Sequence, residues 1–179
     1  MSLDTRQSLP ALVKSALDAL STSLQAELGD QLHSLVLYGG VLRGRYFPNS
    51  DVNLLIVLND TQMPTLKKME KPLELARRQI NLAPFILGSN ELAQVADVFS
   101  VKLLDIQRQH QLLFGPDCLS AIKVEPEHIR LCIEQGLRNL QLRLRLRVAQ
   151  MGGDGPGLRQ HLYLLARPLA IHIAEMLAL

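Results

Sequence analysis

The chain has 179 residues, 47% hydrophobic and 20% charged, enough to bury one large core or two small ones. Its formal charge of +2 is too small to make nucleic acid the expected partner. Cys118 and Cys132 have neither metal-ligand spacing nor the pattern of a disulfide framework, so reduced thiols and a cytoplasmic protein are expected.

The first residues, Met1-Ser-Leu-Asp-Thr-Arg6, lack the basic start and apolar stretch of a signal peptide. No apolar run is long and charge-free enough to span a bilayer. The nearest approach, Leu162 to Leu179, is interrupted by Arg167, Pro168, His172 and Glu175. From Pro10 to Leu28, Val13, Leu17, Leu20, Leu24 and Leu28 recur at helical spacing, and Gly29 is placed to stop the helix. His33 to Tyr38 is rich in Leu and Val, too short for a helix, and closed by Gly39 and Gly40, which predicts a central strand. Val52 to Leu58 predicts a second strand, with a turn at Asn59 and Asp60. Met63 to Gln79 predicts a helix with Pro64 in its first turn and a break or kink at Pro72. Asn81 to Leu87 predicts a third strand, and its Pro84 points to a sheet edge or a bulge. Ser89 is expected to cap a short helix ending near Ala96, and Phe99 to Ile106 and Leu112 to Gly115 are further strand candidates.

After Gly115-Pro116-Asp117 the composition changes to leucine- and arginine-rich helices. Pro126 lies in the first turn of one, beside Glu125 and Glu127, with arginines toward its far end, a polarity that suits the helix dipole. Arg138, Arg143, Arg145 and Arg147 alternate with leucines and no aromatic residue, which predicts a helix packed on two sides with charges at its borders. Gly152 to Gly157 breaks the chain before a last helix. There Leu162, Leu165, Leu169, Ile173 and Met176 fall on one side, and Leu164, Ile171 and Leu177 on another. A helix apolar on nearly all sides must be covered, by the core domain, by a second subunit or by further sequence, and a homodimer through these C-terminal helices is the expected cover.

The densest chemistry lies between Leu35 and Leu58. Gly39 and Gly40 follow a strand, where a glycine pair lets backbone approach a phosphate closely. Arg43-Gly44, a short loop with Pro48, and Ser50-Asp51-Val52-Asn53 come next. This window resembles the signature of the polymerase-beta-type nucleotidyltransferases, in their minimal, kanamycin-type form with a C-terminal helical domain. By that resemblance Gly39 matches the signature glycine, while Gly40 stands where serine is usual. Arg43 and Gly44 match the Arg-Gly pair, and Ser50 joins them in the nucleotide-binding set. Asp51 matches the first metal-binding aspartate, and Asn53 occupies the place of the second. A third carboxylate is expected on a later strand. Asn81 to Leu87 contains none, and Asp97 and Asp105 are the nearest downstream acids. Arg167 and His172 also have the Arg-x4-His spacing of helical ribonuclease domains, a pair that chance produces easily.

The resemblance implies an α/β (α+β) nucleotidyltransferase fold over residues 1–118, a small mixed sheet with helices on one side, followed by an all-α hairpin or bundle over 119–179. It implies a nucleoside triphosphate as ligand or substrate and Mg2+ as cofactor. Asp-x-Asn in place of Asp-x-Asp weakens that cofactor's site, because hard cations are held against a triphosphate by carboxylate charge. Three readings follow: a catalytically weak or inactive protein that binds a nucleotide or partner, an active Mg2+-dependent transferase acting on a small molecule or protein hydroxyl, and a helical interaction module carried on an α/β scaffold.

Overall fold

A computed structural model describes residues 9–44, 46–47, 50–120, 122–151 and 153–178, the side chain of Arg167 excepted. Helix α1, Ala11–Leu28, buries Val13, Leu17, Leu20 and Leu24 along one face and ends at Gly29. Gly29 adopts φ 52°, and its N–H closes the helix on the Gln25 carbonyl. A 3-10 turn, Gly29–Gln31, leads into strand β1, Leu32–Tyr38. Strand β2, Val52–Leu58, runs antiparallel to β1 on one side, and β4, His110–Phe114, runs antiparallel on the other. Strand β3, Leu82–Gly88, lies parallel to β2 at the sheet edge, giving the order β3-β2-β1-β4. The edge position suits Pro84, because only one side of an edge strand needs its N–H groups.

The two central strands are apolar on nearly every residue, as strands buried on both faces must be. Leu35, Leu37, Leu54, Ile56 and Leu58 join the inner face of α1, with Leu73 and Ala76 of a later helix, in one core. Each of the buried leucines and Ile56 contributes about 1.5–3 kcal/mol by leaving water.

Three of the expected elements are corrected. Met63 to Gln79 forms two helices, α2 (Met63–Lys68) and α3 (Glu70–Arg77), divided at Met69. The division puts Pro72 in the first turn of α3, where its missing N–H costs nothing. Ser89 is no cap: a turn precedes α4, Leu92–Val98, and the Glu91 carboxylate accepts from the Gly88 N–H at 2.6 Å. Phe99 to Ile106 is not a strand but most of α5, Ser100–Arg108. Val101 with Leu104, and Leu103 with Ile106, are spaced by three, so the helix gathers them where a strand would scatter them.

Helix α6 spans Pro126–Met151 and α7 spans Gly155–Leu177. Asp154 caps α7 by accepting from the Gly157 N–H at 3.2 Å. The chain divides into two compact units. One takes the residues up to Ala93 together with Ile106–Ile122; the other takes Gln94–Asp105 and everything from Lys123. In the second unit Val101, Ile129 and Ile133 form a small core with Leu104, Leu137 and Ile171. The far half of α6 does not pack on two sides as expected. Among the described residues Leu142, Leu146 and Val148 are exposed, while Leu140 and Leu144 line a groove with α7. Among the described residues no helix is long and apolar enough to cross a membrane.

Candidate functional site

The end of β1, the starts of β2 and β4, and the start of β3 all fall at one edge of the sheet. Tyr38 pairs with Asn53 on one side and His110 on the other, and Asn53 pairs with Ala83. Between them the chain leaves β1 through Gly39, whose φ of 90° and ψ of −153° would strain any other residue. A 3-10 turn, Gly40–Arg43, follows and ends in left-handed Gly44 at φ 65°. Val41 and Leu42 drop from this turn into the core, which fixes its glycines and Arg43 against the sheet. Tyr38 itself is 7% exposed, a buried strand end.

Asp51 lies just before β2 and is exposed. Its Oδ1 accepts from Asn81 Nδ2 at 2.7 Å, while the Val52 N–H donates to the Asn81 carbonyl at 2.9 Å. Positions 51 and 81 thus face each other across the starts of two parallel strands. Asn53 is half-buried, with Nδ2 3.5 Å from the backbone oxygen of Asp51. Ser50 closes the loop before β2: its N–H donates to the Phe47 carbonyl at 2.8 Å, and its Oγ accepts from the Phe47 N–H at 3.0 Å. Pro48 of the motif lies outside the described residues.

On the β4 side, Arg43 Nε donates to Gln109 Oε1 at 3.1 Å, and Gln109 Nε2 donates to the Leu42 carbonyl at 3.0 Å. His110 is set by the Ile106 carbonyl, 3.1 Å from Nδ1, and by Asp117 Oδ1, 3.6 Å from Nε2. The sequence reading missed Asn81 and Gln109. Asn81 stands immediately before a strand, as Asp51 does, and that shared placement is the signal that could have found it. No local pattern marks Gln109.

The donor set at the starts of β2 and β3 is one carboxylate and two amides, at 51, 53 and 81. A pair of divalent cations against a triphosphate needs more negative charge than Asp51 supplies, and one of its oxygens already accepts from Asn81. Among the described residues at these strand starts, Asp51 is the one carboxylate. The downstream acids do not belong to this unit: Asp97 lies 3.0 Å from His128 Nδ1 in the other, which also holds Asp105. Among the described residues no three His, Cys, Asp or Glu groups are gathered to hold a metal. At the opposite end of β2, the Thr65 hydroxyl at 2.7 Å, and then the Gln62 N–H at 2.9 Å, hold the Asp60 carboxyl below the usual carboxylate range.

The sequence profile of the nucleotidyltransferase domain matches residues 17–128. The chain belongs to that family. A putative protein adenylyltransferase from Methanocaldococcus jannaschii is 41% identical over 51 residues, which are 28% of this chain and 50% of that relative. The spectinomycin adenyltransferase AAD(9) from Enterococcus faecialis, whose structure contains ATP and spectinomycin, shares the fold of this nucleotidyltransferase domain. Its TM-score is 0.57 at 12% identity, over 78% of this chain and 69% of that one. The expected fold, a mixed sheet with helices followed by a largely helical part, is borne out.

Proposed function

We propose that this nucleotidyltransferase domain binds a nucleoside triphosphate at the Gly39–Gly40 turn, with Arg43, Gly44 and Ser50 beside it, and that its metal-dependent catalysis is weak or lost. The observation that carries the reading is the Asp51–Asn81 hydrogen bond. Of positions 51, 53 and 81, only Asp51 is charged, and its charge is met by an amide N–H. Arg43 supplies positive charge for phosphate without a metal, and its planar donor array suits phosphate oxygens. Mg2+ binding is correspondingly weak in this reading. Calorimetry with ATP, with and without Mg2+, tests it. Binding that persists in EDTA supports the reading, whereas binding and turnover that both require Mg2+ would overturn it.

The runner-up is an active transferase that moves a nucleotidyl group from the triphosphate to a small-molecule or protein hydroxyl. Its support is the 51-residue likeness to a putative protein adenylyltransferase. Magnesium-dependent consumption of ATP by the wild-type chain decides for it.

The α6–α7 hairpin serves pairing in this proposal, with a second copy of the chain covering its apolar sides. If the site binds no nucleotide, the α/β unit is a scaffold for that helical module. A cytoplasmic location fits the two free cysteines.

A further inference from the structure

Gln109, immediately before β4, meets two groups of opposite kind. Its carbonyl accepts from Arg43 Nε at 3.1 Å, and its amide donates to the Leu42 carbonyl at 3.0 Å. Turning the amide over would set N–H against N–H and oxygen against oxygen, so the two neighbours determine its orientation. Methionine would keep the bulk and lose both bonds. Glutamate would keep the bond to Arg43 and put charge against the Leu42 carbonyl. Only a glutamine-length amide serves both partners.

The clamp is anchored. His110, the next residue, is held by the Ile106 carbonyl and Asp117, and Gln107 bonds the Leu119 and Ile122 carbonyls at 2.8 Å each. Gln107 therefore fastens the segment after β4, while Gln109 alone of the pair addresses the glycine turn. A guanidinium is planar, so holding Nε fixes the plane that carries both terminal nitrogens. Fixing that plane in advance spares rotamer freedom that meeting a ligand would otherwise cost.

We propose that Gln109 is a positioning residue that holds Arg43 in the orientation from which its guanidinium meets the phosphates of a bound nucleotide. The proposal rests on the nucleotide-binding reading above. It concerns the polyphosphate, not the base, so loss of Gln109 acts through Arg43 and only on phosphate-bearing ligands.

The test is calorimetric titration of the full chain with ATP and with adenosine, for wild type, Arg43→Ala, Gln109→Met and the double variant, with melting curves to check folding. Arg43→Ala should weaken ATP binding about 10-fold and Gln109→Met about 3- to 5-fold, with the double variant no weaker than Arg43→Ala alone. Adenosine binding should not change across the set. If Gln109→Met does not fold, Gln109→Asn replaces it, since its shorter amide cannot reach both partners. Wild-type ATP affinity in the Gln109 variant, beside a weakened Arg43→Ala, overturns the positioning role. So do losses that simply add. ATP binding indifferent to Arg43→Ala, or absent in the wild type, instead overturns the nucleotide reading and takes this proposal with it.

Discussion

Asn81 Nδ2 lies 2.7 Å from Asp51 Oδ1 across the starts of two parallel strands, so an amide donor sits against the carboxylate where another acid would repel it. The wild type should bind ATP with an affinity that Mg2+ changes by less than about 3-fold, since one carboxylate is a weak hold on a hard cation. Asn53→Asp with Asn81→Asp places three carboxylates together, and at neutral pH a bound cation relieves their repulsion. That double variant should melt lower than wild type in EDTA and recover in Mg2+, and its ATP binding should become dependent on Mg2+ by about 10-fold or more. A double variant indifferent to Mg2+ in both assays would mean that the three positions do not share a cation.

The two central strands were legible because their apolar runs are short, bounded by polar residues or glycine, and buried on both faces. Val52 to Leu58 matches to the residue. Phe99 to Ile106 misled for the opposite reason: four apolar residues within six positions suit either period, and packing in the second unit chose the helix. Asn81 was in view, but its meaning depends on β3 running parallel to β2 in a register that puts 81 opposite 51. The Arg43–Gln109 contact joins residues 66 apart, beyond the reach of any local pattern.

Gly115 ends β4 at φ 78°, and a β-carbon there would stand 2.1 Å from the His33 carbonyl oxygen. Backbone cannot swing aside as a side-chain tip can. Gly115→Ala should cost at least about 2 kcal/mol in urea denaturation, the left-handed strain and the clash acting together. A loss below about 0.5 kcal/mol, the usual range for a surface change, would contradict the strain.

Gly136 lies inside α6, and a β-carbon there would come within 2.2 Å of the His172 ring on α7. In an open helix, replacing glycine with alanine gains about 1 kcal/mol. Here displacing the ring should outweigh that gain, so Gly136→Ala is expected to destabilise by about 1–2 kcal/mol. With His172→Ala already in place, the same change should stabilise by about 1 kcal/mol. The reversal of sign distinguishes the clash from a general loss of packing.

Burial lowers the pKa of His172, and its Nδ1 is buried with no hydrogen-bond partner among the described residues. The folded state therefore favours the neutral ring. That contribution is complete above the ordinary histidine value of 6.5 and is lost as pH falls through the lowered folded value. Melting temperature should drop between pH 7 and pH values below the folded pKa, and His172→Phe should drop less over the same range. Parallel curves for the two proteins would remove His172 from the pH response.

The α6–α7 hairpin leaves Leu142, Leu146, Leu162, Leu164 and Leu177 exposed, with Tyr163 at 85%. Between the helices, Leu137, Leu140, Leu144, Leu162, Leu165 and Leu169 line an apolar groove of about 370 Å³. Covering such side chains contributes about 1.5–3 kcal/mol each, against an association cost of about 4–15 kcal/mol. Six or more of them, within the roughly 800 Å² that each partner of an ordinary interface contributes, can hold two copies together. Light scattering of the wild type should therefore give a dimer. Leu146→Glu with Leu164→Glu should give a monomer whose melting temperature falls only by the loss of pairing, because neither side chain is part of the chain's own core. A wild-type monomer at high concentration would leave the pairing proposal without support. A double variant that stays dimeric would move the interface elsewhere on the hairpin, toward the groove side of α7, where Leu165 and Leu169 become the positions to charge.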